Sequence, residues 1–270
     1  MKIFDFIKIF RHKPKATKSA DQEFPLLQYK EFALLRAERN TGIVLNEKLE
    51  YANREHGTMF KKFSNLELAI NTAREIVNTN PTVEVWIHDH KQQVVYFIDV
   101  EHEKFHKADL EFDFHLKQRI AVSSDDKLLN FALDICKRLL PEYIRFYENH
   151  QWGDPNALID AIGYCESAKP ENLQQHILKD FLERVDLVTP DTEDFGDYDG
   201  SYALNASTAT MAMLTFLIDG SRDSILESSS YMTDNVDAKL GEAYPDLTYK
   251  ELETHPDMVA ERQYQLRLLN

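Results

Sequence analysis

The amino-acid sequence predicts an α+β protein in two parts, a small N-terminal α+β domain followed by an all-α helical bundle domain. Three observations carry this. Between Phe24 and Val100 apolar residues alternate with polar ones in short runs, the period of half-buried strands. From Ser123 onward they recur every three or four residues, the period of amphipathic helices. Between the two regimes, residues 101–122 are charged and rich in His and Phe, and read as a connection holding one strand or a short helix. The predicted division is an N-terminal segment and linker over residues 1–23, an α+β domain over 24–116, and a helical domain over 117–270.

The elements follow in chain order. Ile3, Phe6, Ile7 and Phe10 share one face of a short helix, which could rest on a membrane surface or dock on the protein itself. Asp5 and Lys8 interrupt this run and no small-residue cleavage site follows, so it is not read as a secretory signal. Residues 12–23 lack apolar periodicity and read as a linker. Tyr29–Arg36 alternates as a strand, Asn40-Thr41-Gly42 reads as a turn, and Gly57–Phe63 as a second short strand. A helix follows, with Ser64 as its cap and Glu67 completing a capping box. Its apolar face is Leu66, Ala69, Ile70, Ala73, Ile76 and Val77, and Asn78 to Pro81 ends it. Val83, Val85 and Ile87, then Val94, Tyr96 and Ile98, predict a hairpin around His88-Asp89-His90-Lys91.

In the helical half, Ser123 with Asp126 resembles a capping box before the stripe Leu128, Ala132, Ile135 and Leu139. Pro141 inside this pattern predicts a kink or a restart. Asp154-Pro155 is a strong helix start, an N-cap followed by proline at the first helical position. Pro170 opens the next helix, with Leu173, Ile177, Phe181 and Val185. A further one runs from about Ser201 to Asp219 and stops at Gly220. Ile225 to Leu240 marks another, Thr248 with Glu251 caps a short one, and His255-Pro256 opens the last. Six or seven helices with short loops predict antiparallel packing.

Four phrases stand in order within this half: Leu139-Leu140-Pro141-Glu142-Tyr143, Trp152-Gly153-Asp154-Pro155, Pro190-Asp191-Thr192-Glu193-Asp194-Phe195-Gly196, and Ala203-Leu204-Asn205-Ala206. The series resembles a family of small bacterial proteins of unknown function typified by the YjaG protein, over about Leu128 to Asn270. The resemblance implies an all-helical fold for that stretch. It implies no reaction, because none is established for the family. The N-terminal domain lies outside it.

Charge is uneven. The net charge is −15, of which residues 117–270 contribute −14, with fourteen Lys/Arg against twenty-eight Asp/Glu; residues 24–116 contribute −4 and residues 1–23 contribute +3. Such a surface repels phosphate backbones and favours basic partners, so no nucleic acid is expected. No run of about eighteen apolar residues exists, so no stable membrane insertion is expected. Cys136 and Cys165 fall at apolar positions of helical patterns, as buried thiols of a cytoplasmic protein would.

The sharpest candidate site is the acidic loop Asp191, Glu193, Asp194, Phe195, Asp197, Tyr198 and Asp199. Its five carboxylates could hold a hard cation, but Tyr202 stands where an EF-hand places its bidentate Glu. The acids also suit helix capping. With Phe195, Tyr198 and Tyr202 as anchors in a negative field, the loop has the composition of a surface that recognises a basic protein. His88, His90, His102 and His106 could pair to hold zinc, but two of them sit at a hairpin tip where polar residues collect. No nucleotide-binding loop, nucleophile elbow or dinucleotide fingerprint occurs. Ser207, Thr208 and Thr210 sit among alanines, as a close helix-packing face would.

The reading that results is a non-enzymatic, cytoplasmic binding protein with no cofactor and no resident metal. Its expected role is that of an immunity protein neutralising a toxin from neighbouring bacteria, the toxin being basic and of nuclease type. The alternative is an enzyme, or a metal- or cofactor-binding protein, with an unrecognised site between helices.

Overall fold

The computed structural model describes residues 24–52, 58–167, 172 and 174–270. The expected amphipathic segment and linker over residues 1–23 lie outside the described residues. The chain divides into two compact units, the first ending at Glu111 and the second running from Phe112 to Asn270.

The first unit is an antiparallel sheet with one helix. Its strands are β1 (Phe32–Glu38), β2 (Val44–Leu45), β3 (Phe60–Phe63), β4 (Val83–His88), β5 (Val94–Ile98) and β6 (Glu103–Phe105), and helix α1 spans Leu66–Thr79. The order is β2-β1-β4-β5-β6, with β3 also paired to β1. One edge of β1 carries β4; the other takes β3 along Phe32–Leu35 and β2 at Arg36 and Ala37. The predicted hairpin is β4–β5, with Val85 opposite Ile98 and Ile87 opposite Tyr96. The sheet has more strands than the three or four the alternation suggests, because β2 and β6 are too short to show a period.

Helix α1 buries Ala69, Ile70, Ala73 and Val77, the predicted face. Its cap is Asn65, not Ser64. Asn65 is extended at φ −150°, and its side chain accepts from the Glu67 and Leu68 amides at 2.7 and 3.2 Å. The region read as a connection contains a fifteen-residue helix, α2 (Ala108–Val122). It carries the chain across the division between the units. Its charged residues hid a face of Phe112, Leu116 and Ile120.

The second unit continues with α3 (Asp125–His150), α4 (Pro155–Ser167), α5 (Gln175–Leu187), α6 (Tyr198–Asp219), α7 (Arg222–Ala243), α8 (Tyr249–Glu253) and α9 (Pro256–Leu268). Ser124, not Ser123, caps α3, accepting from the Lys127 amide. Ser123 is buried and donates to the Arg119 carbonyl at 2.8 Å, closing α2 instead. Helix α3 does not restart at Pro141; the fully buried Leu139, Tyr143 and Phe146 flank the proline and pack into one core. Asp154 caps α4 as predicted, with the Asn156 amide 3.0 Å from its carboxylate. Pro170 and Leu173 lie outside the described residues, and the described helix opens at Gln175. The capping box at Thr248 and the proline opening α9 are both present.

Cross-links set the helix directions. On α3, Arg145 pairs with Asp199 near the start of α6, so these two run antiparallel. On α7, Lys239 reaches Glu142 and Arg222 reaches Asp125, so α7 runs parallel to α3. On α9, Glu261 meets Arg138 and Tyr264 meets Asp134, so α9 runs antiparallel to both. One end of the unit therefore collects the C-termini of α3 and α7, the N-termini of α6 and α9, and the acidic loop.

Candidate functional site

The acidic loop is fastened by rings. Helix α3 ends with Gln151 in the left-handed region at φ 53°, and Gly153 at φ 85° turns the chain back. A side chain at Gly153 would collide with the Tyr143 hydroxyl, so this glycine is required twice over. The turn brings Trp152 against Phe146, ring centres 6.0 Å apart. Phe195 closes the group, 5.0 Å from Phe146, 5.5 Å from His150 and 5.1 Å from Trp152. Its half-buried ring seats the loop. Gly200 lets α6 begin directly against this seat, since any Cβ there would strike the Phe195 backbone.

The carboxylates divide by task. Asp191 folds the loop, accepting from the Glu193 amide at 2.9 Å. Asp197 caps α6 through the Gly200 amide at 2.8 Å, and its other oxygen is 3.1 Å from His150 Nε2. Asp199 accepts from Arg145 at 3.0 Å and Asn149 at 2.6 Å. The carboxylates of Glu193 and Asp194 are exposed and have no partner among the described residues. Beside them Tyr198 is 44% exposed and stacks on Tyr202 at 6.1 Å. Tyr202 is buried and donates to Glu242 at 2.6 Å. Arg145 and Lys239 lie 5.2 and 5.8 Å from its ring centre. Burial, with the negative Glu242 at its hydroxyl, raises the phenol pKa. Tyr244, at the end of α7, is 51% exposed and packs on His255. The arrangement is a rigid acidic rim with tyrosines standing in it.

The same unit holds a groove of about 480 Å³ between α3, α7 and α9. Met232, Val236 and Leu240 line it along one face of α7, and Asn235 lies among them. Asn235 is 1% exposed, and its Oδ1 has no hydrogen-bond partner. Several polar groups of the same helices are hydrogen-bonded. Arg138 donates to both oxygens of Glu261, one at 3.1 Å. Gln265 donates to Glu261 at 2.9 Å and accepts from Ser229. Tyr264 donates to Asp134 at 2.9 Å.

The other sequence candidates are dispersed. His88 packs on Phe24 and is 4% exposed, His90 lies against Tyr29, and His102 faces Asp99 at 3.1 Å. Among the described residues no three His, Cys, Asp or Glu are placed to hold a metal. Cys136 and Cys165 are buried and unlinked, and burial pushes both thiols up to about 12. Ser207 and Thr210 donate back to the Ala203 and Ala206 carbonyls at 3.0 and 2.9 Å, which occupies them within their helix. Sequence reasoning missed Glu142, Arg145, Asn149, His150 and Lys239, which come from helices distant in the chain. It also missed Asn235, whose one signal is a polar residue inside the stripe Met232, Val236 and Leu240.

No curated protein matches this chain. A crystal structure of a DUF416 family protein from Shewanella baltica OS155 is 26% identical, covering 56% of this chain and 80% of that one, with a TM-score of 0.49. The family model described as "Protein of unknown function (DUF416)" matches residues 115–270, the stretch holding the four phrases. The chain belongs to the DUF416 family.

Proposed function

We propose that this is a non-enzymatic binding protein that receives a basic protein on the acidic end of its helical unit. The observation that carries the reading is the loop from Asp191 to Asp199. Its Glu193 and Asp194 charges have no partner among the described residues, while Phe195 is packed inward and Asp197 and Asp199 are spent on holding the loop. A pre-organised charged rim speeds encounter with an oppositely charged partner, and a tyrosine buried on binding slows release. Tyr198 and Tyr244 are exposed tyrosines suited to that second role.

The role that fits best is that of a cytoplasmic immunity protein neutralising a basic, nuclease-type toxin. The support is charge. A surface of net −14 over residues 117–270 presents what a nucleic-acid-cleaving protein is built to approach. Among the described residues no helix is long and apolar enough to cross a membrane.

The test starts with affinity capture of a basic partner from the native cell, followed by stopped-flow association. Glu193→Gln with Asp194→Asn is expected to slow association and flatten its salt dependence. Tyr198→Ala is expected to speed dissociation by about tenfold or more, as for a hot spot. Unchanged kinetics in both variants would remove this loop from the interface. An acidic or uncharged partner would remove the reading as a whole.

A further inference from the structure

We infer that one face of the N-terminal sheet is the docking surface for the chain's own amphipathic segment, with Ile3, Phe6, Ile7 and Phe10 laid over Trp86 and Phe97. The surface belongs to the first compact unit, and so stands apart from the acidic end of the second.

The first observation is the difference between the two faces of the sheet. Residues directly opposite each other on paired strands point to the same side. Leu34, Ile87 and Tyr96 are aligned in this way across β1, β4 and β5, and all three are fully buried. Helix α1 lies on their side: its Arg74 and the Tyr96 hydroxyl both donate to Oε1 of Glu103, at 2.9 and 2.7 Å. The opposite side carries Phe60, Leu35, Trp86 and Phe97 in one row across β3, β1, β4 and β5. Among the described residues α1 is the one complete helix of this unit, so that row has no helix of its own unit over it. The Trp86 and Phe97 rings, with centres 5.4 Å apart, are partly exposed.

The second observation is where the described chain begins. Phe24 lies on the side of that row, its ring centre 5.0 Å from Phe60 and 5.6 Å from His88. His88 is aligned with Ala33, and so shares the side of Leu35 and Trp86. Phe24 thus begins a cover over one end of the row, and residues 1–23 start from there. The third observation is fit. Residues 11–23 span at most about 43 Å when extended, whereas the four strands of the row cover about 14 Å, so reach is not limiting. A helix from Ile3 to Phe10 is about 12 Å long, close to the width of the row. Its apolar face matches the exposed rings in character. The tether holds the segment at a local concentration of millimolar order, which favours it over the same segment of a second copy.

The test uses the full chain carrying 5-fluorotryptophan, which places one fluorine signal at Trp86 and one at Trp152; Trp86→Phe assigns them. Phe6→Asp with Ile7→Asp is expected to shift the Trp86 signal and raise its solvent isotope shift, with Trp152 unmoved. Phe6→Leu with Ile7→Leu, which keeps the apolar face, is expected to leave both signals in place. A second measurement does not depend on a disruptive variant. Cys136 and Cys165 are buried, so a nitroxide can be attached at Lys2→Cys, where it is expected to broaden the Trp86 signal. A Trp86 signal that is the same in the parent and the Asp variant, and is not broadened by the nitroxide, overturns the assignment. Broadening that appears when nitroxide and fluorine are on different chains gives the face to a second copy and overturns it too. A parent and an Asp variant that agree in solution, and differ only in binding anionic phospholipid vesicles, give the segment to a membrane surface instead.

Discussion

Two buried ionisable groups, one in each unit, are accommodated by opposite means. His88, at the end of β4, is 4% exposed and its Nδ1 has no hydrogen-bond partner. Burial lowers its pKa to about 4, against a partial opposing effect from the Ala33 backbone and Asp89. The sheet unit thus keeps the ring neutral. Glu261, on α9, is buried to a similar degree, but it receives two hydrogen bonds from Arg138 and one from Gln265. The helical unit pairs its charge. No charged group reaches the His88 Nδ1, so the neutral ring is the cheaper state, whereas Glu261 is reached by Arg138 from α3 and by Gln265 one turn along its own helix.

The contrast breaks most visibly at the pair. Glu261→Leu leaves the Arg138 guanidinium with Asp134 alone, at 3.6 Å, and is expected to cost about 3 kcal/mol, the lower end of the range for a broken buried pair, because Arg138 keeps that partner and some contact with water. Adding Arg138→Met should recover most of that loss. Urea denaturation followed by helical circular dichroism checks both, and equal losses in the single and double variants would show that packing, not charge, is what Glu261 supplies.

His88 predicts a pH dependence confined to the sheet unit. Its folded pKa of about 4 lies below the ordinary 6.5. The unfolded chain therefore binds the proton first as pH falls. The stability is fully present above about 6.5 and lost as pH falls toward 4, by about 3 kcal/mol in all. His88→Gln should flatten that profile. Hydrogen exchange of β4 and β5 amides across this range reads the sheet unit separately, and a flat profile in the parent chain would refute the neutral histidine.

Asn235 sharpens the comparison, being a buried polar group that is neither charged nor paired. Asn235→Leu is expected to raise stability by about 1–2 kcal/mol, since an unmatched acceptor is replaced by an apolar group of similar shape. A loss of stability would mean that the carboxamide is satisfied in solution. The smallest effects belong to the loop. Asp197→Ala should cost about 1 kcal/mol as a lost cap, while Glu193→Gln with Asp194→Asn should change stability by less than about 0.5 kcal/mol. Thermal melts of these variants separate the acids that build the loop from those left over.

Much of this architecture was legible in residue order. The face of α1, the β4–β5 hairpin, the stop at Gly220 and the start at Asp154-Pro155 all rest on contacts within a few residues. The full length of helix α2 escaped, the sequence offering one strand or a short helix there, because its face is carried by widely spaced large residues among charges, which blurs the period. The cap positions at Ser64 and Ser123 slipped by one residue, because either of two adjacent polar residues could serve and backbone geometry decided between them.

The sequence by itself determined the α+β-then-helical order, the concentration of negative charge after residue 116, and the acidic loop with its aromatic residues. These are properties of composition and local spacing, which tertiary contacts do not alter. Only the tertiary structure decided which acids of that loop are free. The partners that occupy Asp197 and Asp199 come from His150, Arg145 and Asn149, some fifty residues away. It likewise decided that the Asn235 Oδ1 is buried without a partner, because that depends on what the neighbouring helices fail to bring to it. A hydrogen bond that is missing has no local signature, since it is defined by everything that packs around the group.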